Sequence, residues 1–426
     1  MVSHDPRTFV GFGFGAIQAG LFIYEAQRSG RFDRLVVADV LPELVSSVRA
    51  AGGHYGLNIA HADRIESLTI GPIEIYNPQV DEDRDALISA IADATELATA
   101  LPSVRLYETE STSSVHRLLQ AGFRQSSVEH RVVYTAENDI AAAEKLRTSL
   151  AVGVDDKFID QLNATTCVAN TVIGKMSGIV DGLQTHVGHT LTPFTPGTER
   201  AFLVENFRRI LISKVQFPQG STTRGIDAFE EKPSLEPFEE AKLYGHNATH
   251  ALAGYLAAGR GFERMDELRN VPGCDDFLRR AFTEESGATL IKKWSGADEL
   301  FTSAGYAEYV DDLLVRMLNP HLGDRVERIT RDPRRKLGWN DRLVGLLRLA
   351  LAAGISPRHF ALGAAAAVHQ LEPKVLETPA RTADVLSDAW TDDSPAADEK
   401  KRVVGVVQAG LAPLRTWLSK GMLPTR

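Results

Sequence analysis

Residues 8–15 read TFVGFGFG, a run of β-branched and aromatic residues that ends in glycines. A helical pattern follows over residues 16–29, and a second apolar run over residues 35–38 ends at Asp39. Strand, glycine turn, helix, strand and acidic residue, in that order, are typical of a βαβ unit that binds a dinucleotide. This stretch therefore predicts a Rossmann-type domain in the first half of the chain.

The glycine turn fits the dinucleotide fingerprint in two registers. Gly11-x-Gly13-x-x-Ala16 satisfies the G-x-G-x-x-G/A pattern, and Gly13-x-Gly15 satisfies its first half but lacks the third glycine. In either register the backbone can approach a pyrophosphate closely, and the helix that follows supplies positive potential. We expect Gly13, Gly15, Ala16 and Ile17 to bind the cofactor, although a glycine turn alone is weak evidence.

Asp39 ends the second strand, where a carboxylate can accept hydrogen bonds from the ribose hydroxyls of a dinucleotide. It would also repel the 2′-phosphate of NADP(H), so the expected cofactor is NAD(H). The alternative interpretation is a solvated aspartate that starts a turn.

Further strands and helices alternate through the first half, as a doubly wound α/β domain requires. The pattern predicts strands over residues 73–76, 104–107 and 132–135, and helices over residues 85–94 and 141–149. After about residue 228 the pattern becomes helical, and Pro233 and Pro237 flank the predicted hinge. We therefore predict an α/β NAD-binding domain over residues 1–228 and an all-α substrate and catalytic domain over residues 229–426.

The predicted helices of the second domain cover residues 238–258, 263–270, 275–284, 305–318, 341–354 and 358–370. Residues 375–402 are rich in Ala, Asp, Ser, Thr and Pro, and we interpret them as a mobile loop with short helices.

The segment KLYGHNATH, residues 242–250, carries three side chains with catalytic potential. On an α-helix, Asn247 and His250 lie roughly 140° and 80° around the axis from Lys242. A lysine in a water-poor cleft can have a pKa low enough to act as a general base, and an asparagine amide can donate to an alkoxide or carbonyl oxygen. By composition alone, a Lys, an Asn and a His on a helix more often form a solvated face.

This segment matches the K-x4-N-x2-H signature of the polyol-specific long-chain dehydrogenases, the mannitol dehydrogenase family. Other segments resemble the same family: FGFGAIQAGLF (12–22), VADV (37–40), YTAEN (134–138) and NPHLGDRVERITRDPRRKLGWNDRL (319–343). The last of these resembles the branch of the family that acts on a polyol phosphate. The chain departs from the family at Gln18-Ala19, where a Gly-Arg pair is usual.

The resemblance implies a catalytic role for several residues. It makes Lys242 the base, gives Asn138 and Asn247 the role of stabilising the oxyanion, and makes His250 the residue that orients the substrate. It also gives Glu239 the role of passing protons to solvent.

Arg335 and Lys336 lie in the basic run RDPRRK, residues 331–336. Guanidinium and ammonium groups recognise phosphate oxygens and hydroxyls well, so we expect these two residues to bind the substrate phosphate or its distal hydroxyls. The alternative is surface charge at a helix end.

Composition limits the other classes of function. A net charge of −9 argues against a nucleic-acid partner, and the longest apolar stretch is too short to span a membrane. The two cysteines, Cys167 and Cys274, have no metal-ligand spacing, and the start of the chain lacks signal-peptide character, so we expect a cytoplasmic protein without a metal.

The sequence thus predicts an enzyme that oxidises a secondary hydroxyl of a polyol or polyol phosphate with NAD, as a monomer or homodimer. A non-phosphorylated polyol, a hexuronate or a cyclitol-type intermediate remains an alternative substrate. A non-catalytic NAD-binding sensor is the alternative from another class.

Overall fold

A computed structural model of the chain describes residues 7–390 and 396–424. The chain divides into two compact units at Leu235 and Glu236. This boundary falls later than the predicted end of the first domain at residue 228. The reason is a strand, Phe229–Lys232, which pairs in parallel with Ile210–Ser213 in a sheet of the N-terminal unit.

The N-terminal unit has two sheets in its described residues. In chain order the strands are β1 (Thr8–Phe12), β2 (Arg34–Ala38), β3 (Tyr55–Ala60), β4 (Ile65–Ile70), β5 (Glu74–Tyr76), β6 (Ala94–Thr99), β7 (Arg131–Thr135), β8 (Thr166–Val172), β9 (Ser177–Asp181), β10 (Arg200–Glu205), β11 (Ile210–Ser213) and β12 (Phe229–Lys232).

The larger sheet has the strand order β12-β11-β8-β7-β6-β1-β2-β5, and all its pairs are parallel except β8 with β11. β1 lies between β2 and β6, so the chain leaves β1 to one side and later returns on the other. Doubly wound sheets bind ligands at such a switch point, at the carboxyl ends of the strands. The predicted Rossmann-type fold is therefore confirmed.

Both faces of this sheet are covered, and neighbouring residues of one strand alternate between two cores. Phe9 and Tyr134 belong to the core shared with the smaller sheet, whereas Val10 and Val133 belong to the core on the opposite face. The helices of the unit are α1 (Tyr24–Ser29), α2 (Pro42–Ala50), α3 (Asp81–Asp93), α4 (Val115–Gln125), α5 (Ala142–Leu150) and α6 (Asp156–Thr165).

Two features of this unit differ from the sequence analysis. The predicted strand over residues 104–107 is wrong, because Val104–Leu106 forms a 3₁₀ helix and β6 supplies the strand instead. The smaller sheet, with the order β4-β3-β10-β9, was not predicted.

The C-terminal unit is helical throughout its described residues. Its α-helices are α7 (Glu236–Glu240), α8 (Ala248–Gly259), α9 (Cys274–Arg280), α10 (Ala288–Lys293), α11 (Ser303–Met317), α12 (Val326–Thr330), α13 (Pro333–Lys336), α14 (Arg342–Ala352), α15 (Arg358–Leu371), α16 (Arg381–Ala389), α17 (Ala397–Ala409) and α18 (Leu411–Lys420). No helix within residues 7–390 and 396–424 combines the length and apolar character needed to cross a bilayer.

The predicted helices of this unit are confirmed, with residues 263–270 forming a 3₁₀ helix, Met265–Asn270. The short helices predicted within the segment 375–402 are present as α16 and the first part of α17. Residues 391–395 of that segment lie outside the described residues.

Among the described residues, three stretches are π-helical: Gln18–Ile23, Ala241–Asn247 and Ala281–Gly287. A π-helical stretch carries one more residue per hydrogen-bonded turn than an α-helix, and such stretches concentrate at functional sites. The first follows the glycine turn, and the second contains Lys242 and Asn247.

α12 packs directly on α8 because Gly254 has no side chain. A Cβ atom at Gly254 would lie 2.5 Å from Ile329 Cγ2. This close approach brings the loop before α12 beside residue 250 of α8.

We predict that Gly254→Val destabilises the protein by about 1–3 kcal/mol, the usual cost of overpacking a close-packed interface. The matched control is Gly405→Ala in α17, where no described atom lies within 4 Å of the new Cβ. That change should be neutral or stabilise by about 0.5–1 kcal/mol, because it relieves only the entropic cost of a helical glycine. Thermal unfolding of the two variants measures their stabilities. Equal stability of Gly254→Val and Gly405→Ala would contradict the close packing of α12 on α8 at Gly254.

Candidate active site

The glycine turn has one covered glycine and one open glycine. Gly13 adopts φ +81°, and a Cβ there would lie 2.8 Å from the Ala100 carbonyl oxygen, so this position requires glycine. At Gly15, by contrast, no described atom lies within 4 Å of the position that a Cβ would take. Ala16 and Ile17 follow at the start of the helix and are half-buried. Open space at a helix N-terminus fits the pyrophosphate of a dinucleotide.

Gln18 occupies the other side of the turn. Its side chain is fully buried and abuts Gly11, where a Cβ would overlap the Gln18 amide nitrogen. Neither polar atom of the amide has a hydrogen-bond partner in the described part of the chain. Gly11 is therefore needed for packing beneath the turn, and the open register is that of Gly13 and Gly15.

Asp39 helps to hold the turn. Its Oδ2 accepts a hydrogen bond from the Phe14 amide at 2.7 Å, and its Oδ1 accepts one from the Leu41 amide at 2.9 Å. The carboxylate thus lies at the carboxyl end of β2, next to the glycine turn, and is half-buried. Its binding to a ribose stays a prediction.

Asn138 lies in an exposed bend after β7. The residue before it, Glu137, is buried and fixes that bend. Its carboxylate accepts hydrogen bonds from Thr99 Oγ1 and the Leu101 amide, both at 2.9 Å, and from the Tyr107 hydroxyl. Burial and the Glu137 charge raise the pKa of Tyr107, which therefore stays a proton donor. The loop that carries Asn138 is tied in this way to the carboxyl end of β6.

Lys242 and Asn247 lie in the π-helical stretch, which corrects the angle expected for an α-helix. In an α-helix these two residues point roughly 140° apart. In a π-helix residue i bonds to residue i+5, so residues five apart are about one turn apart, as residues four apart are in an α-helix. Lys242 and Asn247 therefore share one face of the helix.

Side chains from neighbouring helices satisfy the carbonyl groups of this π-helical stretch. Ser286 donates its hydroxyl to the Tyr244 carbonyl at 2.9 Å, and Tyr309 donates to the Ala241 carbonyl at 3.4 Å. Gly245 is needed at its position, because a Cβ would lie 2.8 Å from the Tyr306 hydroxyl oxygen. The widened turn is therefore built into the packing of the unit.

The environment of Lys242 lowers its pKa to about 8. Burial is the largest cause and the positive charge of Arg342 adds to it, while the negative charge of Glu239 opposes both. Glu240 is engaged elsewhere, because its carboxylate accepts hydrogen bonds from Lys293 Nζ at 2.6 Å and Trp294 Nε1 at 2.8 Å. Of the two adjacent glutamates, Glu239 is the one whose charge acts on Lys242.

His250 is buried on α8 beside Asp324. The distance from His250 Nε2 to Asp324 Oδ2 is 3.0 Å, and both side chains are at most about a tenth exposed. The two atoms lie at hydrogen-bonding distance, and neither has another hydrogen-bond partner in the described part of the chain. Burial raises the pKa of Asp324, but His250 and Arg328 outweigh that effect and hold it below its usual value.

The two residues predicted to bind the substrate phosphate differ in exposure. Arg335 is half-exposed and pairs with Asp332 at 3.0 Å. Lys336 is buried, and its Nζ donates to the Arg331 carbonyl. Burial lowers the pKa of Lys336 to about 8, with a further contribution from Arg342.

The structure adds Glu137, Asp324 and Arg342 to the residues expected from the sequence. Asp324 and Arg342 lie within residues 319–343 and Glu137 lies within YTAEN, so all three belong to segments that resemble the family. The sequence alone does not show which acidic or basic side chain of such a segment is buried.

A doubly wound sheet with a glycine turn at its switch point, followed by a helical unit, is the architecture of two-domain nucleotide-dependent dehydrogenases. Residues 234–408, which include most of the helical unit, match the family model of the mannitol dehydrogenase C-terminal domain. The family resemblance indicated by the motifs is thereby confirmed.

Curated relatives cover nearly the whole chain. A mannitol-1-phosphate 5-dehydrogenase from Lacticaseibacillus casei (strain BL23) is 25% identical over 413 residues, which are 94% of this chain and 96% of that protein. One from Thermoanaerobacter pseudethanolicus is 27% identical over 364 residues, 84% of either chain.

Solved structures share the fold at lower identity. A D-sorbitol dehydrogenase in substrate-free form has a TM-score of 0.74 at 14% identity, covering 99% of this chain and 95% of that one. A Pseudomonas fluorescens mannitol 2-dehydrogenase, in a ternary complex with NAD and D-mannitol, has a TM-score of 0.67 at 15% identity, covering 97% and 93%.

We predict that Lys242→Met raises the stability of the protein at pH 7. A folded-state pKa of about 8, against an unfolded value near 10.4, means that folding opposes the charged amine below pH 8. Removing that amine should stabilise by about 1–3 kcal/mol after allowance for its partial exposure.

This stability difference should shrink as the pH rises from 8 toward 10.4, because the amine then becomes neutral in the unfolded protein as well as in the folded one. Thermal unfolding of the variant and the wild type at pH 7 and pH 10 measures the difference. A variant that is less stable than the wild type at pH 7 contradicts the lowered pKa.

Proposed function

We propose that this chain is an NAD(H)-dependent dehydrogenase that oxidises a secondary hydroxyl of a polyol phosphate to the ketose. The observation that carries the proposal is the pKa of Lys242, lowered to about 8 within a K-x4-N-x2-H motif of a mannitol dehydrogenase C-terminal domain. A half-buried lysine with that pKa is a usable base near neutral pH.

Lys242 takes the proton of the substrate hydroxyl while the carbon–hydrogen bond breaks. Bound NAD⁺ would supply the hydride acceptor for that carbon. Asn247 lies on the same helix face as Lys242 and donates its amide to the oxygen. The resemblance to the family assigns the same role to Asn138. Because Lys242 supplies the base, the proposed reaction needs no metal ion to remove the proton of the hydroxyl.

The cofactor would be held by the N-terminal unit. The backbone of Gly13 and Gly15, which is open at Gly15, would face the pyrophosphate. Ala16 and Ile17 would supply the helix N-terminus, and Asp39 would accept hydrogen bonds from the ribose hydroxyls. The phosphate of the substrate would lie against Arg335 and Lys336, with Arg342 adding positive charge. The relatives named mannitol-1-phosphate 5-dehydrogenase support this substrate class.

We place the enzyme in the cytoplasm, and we expect a monomer or homodimer with neither a nucleic-acid nor a membrane partner. Both cysteines, Cys167 and Cys274, are free and buried, which suits a reducing compartment.

The direct experiment is NADH oxidation with a panel of ketose phosphates, free ketoses, keto-hexuronates and cyclitol-type ketones. Turnover that is highest with a ketose phosphate is expected. Higher turnover with an unphosphorylated compound would select the alternative substrate class. NADH binding without turnover of any compound would point to a non-catalytic sensor.

Asp39 should set the choice between the two nicotinamide cofactors. We predict that Asp39→Ala narrows the preference for NAD⁺ over NADP⁺ by about 1–3 kcal/mol, the scale of a charged hydrogen bond. Because Asp39 also holds the Phe14 amide, Asp39→Asn is the control, since it keeps an acceptor oxygen and removes the charge. The measurement is kcat/KM of the wild type and of each variant with NAD⁺ and with NADP⁺. Equal wild-type values with the two cofactors would show that Asp39 does not set the choice of cofactor.

Replacement of Lys336 should discriminate between phosphorylated and free substrates. We predict that Lys336→Met, which keeps the buried volume, raises KM for a ketose phosphate at least about tenfold, the scale of one charge-assisted contact. KM for the free ketose should change little. The control is Arg334→Ala, an exposed neighbour on the same helix. Equal effects on the two substrates would make Lys336 a structural residue.

A further inference from the structure

His250 and Asp324 form a buried pair. The resemblance to the family gives a role to the histidine but none to the aspartate. Asp324 has two oxygens with different partners. Oδ2 lies 3.0 Å from His250 Nε2, and Oδ1 accepts from Arg328 Nε at 2.8 Å, with Arg328 Nη2 at 2.6 Å. The Arg328 side chain is half-exposed, so its charge is partly solvated, while the carboxylate itself is 7% exposed. The carboxylate oxygen that faces the histidine is therefore in a low-dielectric environment.

The backbone holds Asp324 in place independently of these side chains. The Met265 amide donates to the Asp324 carbonyl at 2.9 Å, and the Val326 amide donates to the Glu263 carbonyl at 3.0 Å. Gly254 lets α12 approach α8, as described above. The position of the carboxylate beside His250 thus follows from the packing of two helices and a loop.

We propose that Asp324 is a positioning residue for His250, a role that rests on the proposed function. A carboxylate next to Nε2 favours the tautomer that carries its proton on Nε2, because an anion attracts the N–H and repels a lone pair. Nδ1 then presents its lone pair as an acceptor. His250 in this state accepts a hydrogen bond from a substrate hydroxyl, and the hydroxyl is oriented by the direction of that lone pair.

The tautomer can be measured without any turnover. Two-bond ¹H–¹⁵N correlation spectra of the full-length protein with ¹⁵N-labelled histidine report which ring nitrogen carries the proton, and His250→Gln identifies the signals of His250. We expect an Nε2–H tautomer in the wild type and a mixture of tautomers in Asp324→Ala. An Nδ1–H tautomer in the wild type overturns the proposal, even if Asp324→Ala fails to fold.

A double-mutant cycle tests whether Asp324 acts through His250. Asp324→Ala should lower kcat/KM for the polyol at least about tenfold in the wild-type background, mainly by raising KM, and by less than about twofold in the His250→Ala background. Equal losses in both backgrounds overturn the proposal. If the protein turns over no polyol, the proposed function fails, and the tautomer measurement still decides the role of Asp324.

Asp324→Ala also removes the ion pair with Arg328, which is four residues further on, so the loss of such a pair needs its own control. Asp312→Ala on α11 removes an ion pair of the same spacing, with Arg316. The change leaves His250 untouched, so the histidine spectrum and kcat/KM should both stay within about twofold of the wild type. A shift of the His250 tautomer in Asp312→Ala would make the effect of Asp324 one of general packing and overturn the positioning role.

Discussion

An ammonium group that loses contact with water is disfavoured by several kcal/mol unless it is paired or gives up its proton. The C-terminal unit is arranged around that constraint at Lys242. A π-helical turn widens the helix at this residue, Gly245 admits the rings of the neighbouring helices, and Ser286 and Tyr309 satisfy the carbonyl groups of the turn. Arg342 adds repulsion, so the unit stabilises the neutral amine.

The same turn decides which side chains can act together with the amine. The π-helical geometry places Asn247 on the face of Lys242, and α8 continues from it to His250. The histidine is held by a carboxylate that belongs to a different helix–loop element. The N-terminal unit follows a comparable scheme, in which buried Glu137 fixes the bend that carries Asn138.

Much of this could be predicted from residue patterns. The glycine turn between two apolar runs predicted the Rossmann-type fold. The K-x4-N-x2-H spacing predicted that the candidate active site lies around Lys242. The π-helix could not be predicted, because the composition of residues 241–247 does not distinguish it from an α-helix, and the close packing of Tyr306 and Phe282 against Gly245 is seen only in the structure. The strand β6, ATELAT, lacks the β-branched and aromatic run of its neighbours, and its place in the sheet depends on pairing with β1 and β7. The Asp324–His250 pair joins residues far apart in the chain, and only the packing of α12 on α8 brings them together.

The central claim is that Lys242 removes the proton of the substrate hydroxyl, and the pH dependence of polyol oxidation tests it most directly. kcat of the wild type should rise with pH through one ionisation at or below about pH 8, as the amine loses its proton, and then level off. In Lys242→Ala that ionisation should disappear and kcat should fall by a factor of about 10²–10⁴, with NADH affinity unchanged in a binding assay. A variant that keeps both the wild-type profile and near-normal turnover would contradict the assignment of Lys242 as the base.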